Sequence, residues 1–207
     1  MTISRDKLIF IDFEGLIIED PAIVGVWSDE KYRLVVLDPR LIGILQSPLA
    51  HEIPTSFQSI TDFLEHTLQR VRKENKKIVA FSDREKHVFE SRDLDVTSHY
   101  WNAHKDLKKW FRENDPVNRP KPFALDSILR YFAYPSHTDY GEKQATQRIV
   151  HVRNMLESRR QNYSKLTHVA KSKCTKLIRY NQQDVEGLIF ALEKSALIPA
   201  GAPFKSS

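Results

Sequence analysis

The chain has 207 residues, 41% of them hydrophobic and 29% charged, a formal net charge of +5 and one cysteine, Cys174. That length suits one generous domain, and with no apolar run near the roughly 18 residues a bilayer demands, a membrane protein is excluded. A single cysteine excludes an internal disulfide and a cysteine-based zinc site; with no signal-peptide pattern at the N-terminus, the expected compartment is reducing, the cytoplasm, and Cys174 is an inert structural thiol.

Residues 7–14, KLIFIDFE, predict a first strand; AIVGVWS (22–28) and YRLVVLD (32–38) predict a second and a third, joined by a polar turn from Ser28 to Lys31. The opening is thus a β-meander. Ile60, Phe63, Leu64, Leu68 and Val71 recur at helical spacing and predict a helix over 56–75, after Pro54 and with Thr55 and Ser56 as candidate caps. KKIVAF (76–81) gives a fourth, short strand and DREKHVFE (83–90) starts another helix. Between 93 and 140 the proline-rich DPVNRPKP marks a loop between short helices, and no fifth strand is predicted there. Helices follow over 142–163 and 174–195. One domain over 1–198 and a flexible tail over 199–207 are expected, in an α/β fold with a mixed sheet flanked by helices.

Two carboxylates end the first strand. Side chains alternate faces along a strand, so Asp12 and Glu14 leave one side together while Ile11 and Phe13 leave the other. Beside apolar neighbours each ion loses hydration, which a divalent cation offsets; the alternative is a strand that ends at Asp12, with both groups wet. Near the C-terminus, LIRYNQQDVEGLIFAL (177–192) places Tyr180 and Asp184 four residues apart on a helix face shared with Leu177, Leu188 and Ala191. A carboxylate among leucines calls for a hydrogen-bond or cation partner, or for a metal.

Taken together, IDFEG and YNQQD resemble the DEDD superfamily of 3′-to-5′ exonucleases, in particular its tyrosine subclass, with Asp-x-Glu on the first strand and Tyr-x-x-x-Asp on a late helix. The resemblance spans nearly the whole chain, with looser matches at AIVGVW and LDSILRYFAYP. It implies a ribonuclease H-like fold and hydrolysis of phosphodiester bonds at single-stranded DNA or RNA ends, using two Mg²⁺ or Mn²⁺ ions. The implied catalytic residues are Asp12, Glu14, Tyr180 and Asp184, with Asp12 shared by both ions and Tyr180 orienting the attacking water. The middle motif departs from the family's His-Asn-x-x-Phe-Asp: VAFSDREKHVF lacks that histidine and asparagine. Aligning Val88 and Phe89 with the following apolar pair puts Glu85 at the acidic position, with Asp83 as the alternative; SDRE is also a capping box that would engage Glu85 at the helix start. The altered motif leaves open a catalytically silent nucleic-acid-binding module on the same fold, and a ribonuclease H-like endonuclease is a third reading.

Basic residues cluster. Between Gly141 and Tyr180 stand ten, including Lys143, against two acidic residues, so the rest of the chain is net acidic. Such a patch suits a polyanion, and Arg148, Arg153, Arg159, Arg160, Lys165, Lys171 and Lys173 are the candidate nucleic-acid contacts. Ile149, Val152 and Leu156 at helical spacing would equally leave those side chains on a solvated face. Aromatic residues are dense from Tyr100 to Tyr140; most are expected in the core, one or two as stacking platforms. The eight histidines show no ligand spacing, so zinc is not expected.

Overall fold

The computed structural model describes residues 3–18, 20–135 and 144–201. Three strands, β1 (Leu8–Ile17), β2 (Asp20–Ser28) and β3 (Lys31–Val36), form the antiparallel meander. A short helix α1 (Pro48–Glu52) and strand β4 (Thr55–Phe57) precede helix α2 (Ile60–Glu74) and strand β5 (Lys77–Ala80). Then come α3 (Arg84–Glu90), β6 (Tyr100–Asn102), α4 (Ala103–Asn114), α5 (Leu125–Tyr131), α6 (Ala145–Ser158) and α7 (His168–Lys194). The six strands run in the order β4-β3-β2-β1-β5-β6, with β4, β5 and β6 each parallel to a neighbour. The fold is therefore α/β, a mixed sheet flanked by helices and compatible with a ribonuclease H-like arrangement.

Strand β1 sits inside the sheet and is apolar on both faces because both faces are covered. Ile9, Ile11 and Phe13 meet Phe63, Leu64, Leu68 and Val71 of α2 and Val88 and Phe89 of α3. Leu8 and Phe10 belong to the opposite core, built with Ile128 and Leu129 of α5, Ile149, Val152 and Leu156 of α6, and Leu177, Ile178 and Leu188 of α7. Asp12 and Glu14 continue the Leu8–Phe10 face and so point towards the α5–α7 layer.

Several boundaries differ from the sequence expectation: β1 continues to Ile17 instead of ending at its two carboxylates, β2 starts at Asp20, and β3 stops at Val36. The candidate caps Thr55 and Ser56, with Phe57, instead pair with Leu34, Val35 and Val36 as β4, and α2 starts later, capped by Ser59, whose Oγ accepts from the Asp62 N–H at 3.1 Å. A strand does occur between 93 and 140: Tyr100, Trp101 and Asn102 pair with Ile78, Val79 and Ala80. Helix α6 stops at Ser158 because Arg160 and Gln161 adopt positive φ, which ends the helical path; residues 142 and 143 of its predicted start lie outside the described residues, as does Tyr140. Helix α7 begins at His168, six residues before the expected start, because Thr167 caps it by accepting the Ala170 N–H at 3.2 Å. In the tail, the Gly201 N–H donates to Glu193 at 2.8 Å, while residues 202–207 lie outside the described residues.

Thr167→Ala removes that cap from the helix that carries Tyr180 and Asp184. We expect a loss of about 1 kcal/mol, read as a melting temperature about 2–4 °C lower in thermal denaturation.

Candidate functional site

Strand β1 presents Asp12 opposite Gly25 and Glu14 opposite Ile23 of β2, and its register with β2 shifts immediately after Glu14. Such bulges re-aim a strand end. Helix α7 crosses this face and brings Asp184 alongside. One carboxylate oxygen from each of Asp12, Glu14 and Asp184 lies within 4.8 Å of the others, with Glu14 buried and the other two half-buried.

Three carboxylates so close cannot all ionise at the usual pH. Burial, then the neighbouring Asp184, pushes Glu14 up to about 8. Asp12 is held well above the ordinary carboxylate range by burial and by Glu14 and Glu85, and Asp184 by burial and Asp12. Oxygen donors alone, converging and mutually repelling, fit a hard divalent cation of the Mg²⁺ or Mn²⁺ kind. Tyr180 is also held above its ordinary value, by burial first and then by Asp184, Glu14 and Asp12, and it shares a side-chain hydrogen bond with Asp184. At neutral pH the phenol is therefore a proton-bearing donor rather than a base.

Sequence reasoning missed the group that fixes Asp12. Asn181 is fully buried, and its amide nitrogen donates to the Asp12 backbone carbonyl (3.0 Å) and carboxylate (2.5 Å). Its amide oxygen accepts from the Tyr32 hydroxyl at 2.8 Å. Gly25 makes the room: a Cβ there would stand 2.0 Å from the Asn181 oxygen. The available signal was an amide three residues before Asp184, on the helix face turned to the sheet.

The two middle-motif candidates separate. Glu85 is buried, accepts from the Ser82 hydroxyl at 3.1 Å, and its charge acts on Asp12, Glu14 and Asp184. It stands outside the three-carboxylate group and also fulfils the capping role, accepting from the Ser82 backbone. Asp83 turns instead to Lys105 at 2.9 Å and to Asn102, which hold it below the usual carboxylate range. Two arginines oppose the acidic charge: Arg84 acts on Asp12, Glu14 and Glu85, and Arg148 on Glu14. Asp126 of α5 adds a further carboxylate whose charge reaches Asp184.

The basic residues do not form one solvated face. Arg148 is only 4% exposed, with its Nη2 donating to Gln144 at 3.1 Å. Arg153 turns in towards Asp38 at 3.7 Å. Lys171 donates to the Ser164 carbonyl at 3.0 Å and lies over the Tyr163 ring. Arg159, Arg160 and Lys165 are exposed in and after the turn that follows α6, Lys173 is half-buried on α7, and Lys143 lies outside the described residues. Of the aromatics, Phe111 is buried and packs with Trp110, Phe123, Tyr131 and Phe132 at ring-centroid distances of 4.8–5.7 Å, and Trp101 donates to Asp106. Phe111 belongs to the core, Trp101, Trp110, Phe123 and Phe132 pack against it half-buried, and Tyr131 is exposed at its edge.

No family model, curated protein or solved structure matches the chain. No helix among the described residues is long and apolar enough to cross a membrane.

The raised carboxylates set a sign for stability. Between the ordinary glutamate value of 4.5 and about 8, the folded chain holds more protons than the unfolded one, so stability in chelator falls as pH rises through that window. A divalent cation at a hundred times its Kd adds about 2.7 kcal/mol, about 5–10 °C for a chain of this size. Melting curves with EDTA and with Mn²⁺ at pH 5 and pH 8 should therefore show a larger metal-induced rise at pH 8; an equal rise at both would contradict this account of the site.

Proposed function

We propose that the chain is a metal-dependent 3′-to-5′ exonuclease of the DEDD type, tyrosine subclass, hydrolysing phosphodiester bonds at single-stranded DNA or RNA ends. The observation that carries this reading is the meeting of Asp12 and Glu14 from β1 with Asp184 from α7, at a point where the Tyr180 phenol also arrives. Asp12, Glu14 and Asp184 would hold one divalent cation, and Glu85 with Asp12 would serve a second. Such ions supply charge stabilisation on the phosphoryl oxygens and an acidified water.

The chain's own residues do the rest. Tyr180, protonated at neutral pH, donates its one phenolic proton to Asp184, and its oxygen would accept from a water and so orient it. Asn181 fixes Asp12 through one donated bond to its carboxylate and one to its backbone carbonyl, backed by Tyr32. Arg84 and Arg148 offer positive charge to a phosphate that would otherwise meet only carboxylates. The thiol of Cys174 is buried and pushed up to about 12 by burial, which makes it an inert structural thiol; with one cysteine in the chain, the location we propose is the cytoplasm.

One observation favours a second reading, a catalytically silent nucleic-acid-binding module: the Glu85 carboxylate is already engaged by Ser82.

The two readings part in one assay. Purified protein is incubated with 3′-labelled and 5′-labelled single-stranded DNA and RNA in Mg²⁺, in Mn²⁺ and in chelator. The exonuclease reading expects metal-dependent shortening from the 3′ end; binding without cleavage in every metal selects the silent module. Asn181→Ala should cost about 10–100-fold in metal affinity or rate, as loss of a ligand's outer partner does, and Asp12→Asn should cost more. Tyr180→Phe should lower kcat while leaving the Mn²⁺ Kd unchanged.

A further inference from the structure

A cavity of about 350 Å³ opens between the N-terminal ends of α6 and α7. Arg148 and Gln147 line it from α6, and His168, Ser172, Lys173 and Lys176 from α7. None of the described lining side chains is acidic, so three permanent cations face one space without a carboxylate among them. Arg148 joins this cavity to the acidic site, since the same side chain lines it and acts on Glu14 and Tyr180. At 4% exposed, that arginine is held in place before any ligand arrives.

The stripe along α7 sets a spacing. Lys173, Lys176, Tyr180 and Asp184 follow one another at three, four and four residues and share one face. At about 1.5 Å of rise per residue, the two lysines stand about 12–16 Å along the axis from Asp184. A stacked strand, advancing about 3.4 Å per nucleotide, covers that distance in about four to five nucleotides.

We propose that this cavity is a phosphate subsite, taking the sugar-phosphate backbone of a single strand four to five nucleotides on the 5′ side of the bond held at Asp12, Glu14 and Asp184. The proposal rests on the exonuclease reading for its polarity. It divides the basic residues by role: Arg148, Lys173 and Lys176 grip the strand, whereas Arg159 and Arg160, at the other end of α6 and about 16 Å along it from Arg148, do not. The strand is long enough to be gripped only when it reaches past the acidic site, so the subsite makes affinity depend on length.

The test is binding alone, in EDTA, by fluorescence anisotropy of 5′-fluorescein-labelled trithymidylate and decathymidylate. Lys173→Gln with Lys176→Gln should weaken decamer binding about tenfold or more and reduce its salt slope by about 1.4, the release expected for two single-strand phosphate contacts. Trimer binding should be unchanged, and Arg159→Gln with Arg160→Gln should change decamer affinity less than about twofold. An unchanged decamer affinity in the cavity pair, an equal loss for both lengths, or an equal loss in the Arg159/Arg160 pair would overturn the subsite. Because chelator removes cleavage from the experiment, the two readings fail separately. A protein that trims 3′ ends but shows length-independent loss lacks this subsite, and one that shows the expected length dependence but never cleaves has the subsite without the chemistry.

Discussion

The rest of the site depends on the repulsion among three carboxylates gathered against an apolar sheet face. An unpaired buried ion costs several kcal/mol, and here each such group sits beside two more. The neighbouring side chains answer that cost. Asn181 donates to Asp12, Tyr180 bonds to Asp184, and Arg84 and Arg148 bring positive charge to the cluster. The protonated state of Glu14, extending to about 8, expresses what these partners leave uncompensated. A site that the protein alone holds at a disadvantage is one that a cation stabilises.

The fold makes this gathering possible by placing β1 inside a sheet covered on both sides. Its odd-numbered residues bury against α2 and α3, and its even-numbered ones against the α5–α7 layer, so the same alternation that packs Phe10 aims Asp12 and Glu14. Helix α7 supplies the other half. Over its 27 residues it runs from the basic cavity, past Tyr180, to Asp184 and on into the core. A rigid helix thereby fixes the distance between the basic cavity and the three-carboxylate cluster. Gly25 lets the helix come close enough for Asn181 to reach Asp12.

What could be read from the residues followed from strong periodicity. The short apolar run in KLIFIDFE and the helical spacing from Ile60 to Val71 placed β1 and α2, and the Tyr180–Asp184 interval placed Asp184 on the sheet-facing side of α7. Strands β4 and β6 escaped because each has three residues and takes its conformation from a parallel neighbour, β3 or β5, rather than from its own pattern. The early start of α7 rests on one capping hydroxyl in a polar stretch. The inward turn of Arg148 and Arg153 could not be read, because an arginine stem packs on apolar surface as readily as it reaches into water. Asn181 was hidden in plain view: its role depends on Tyr32 and Gly25, which are distant in sequence and meet it only across the sheet. Glu85 and Asp83, two residues apart at a helix start, are separated only by the positions of Ser82 and Lys105 in space.

A divalent cation at Asp12, Glu14 and Asp184 is the central proposal, and the most direct measurement is an anomalous difference map from crystals soaked in Mn²⁺. The expected result is a peak in direct coordination distance of oxygens from all three carboxylates, slightly beyond the roughly 2.0–2.1 Å of the smaller Mg²⁺, lost in Asp12→Asn. Crystals with no peak there at saturating Mn²⁺, and with the three carboxylates bonded only to protein groups, would contradict it.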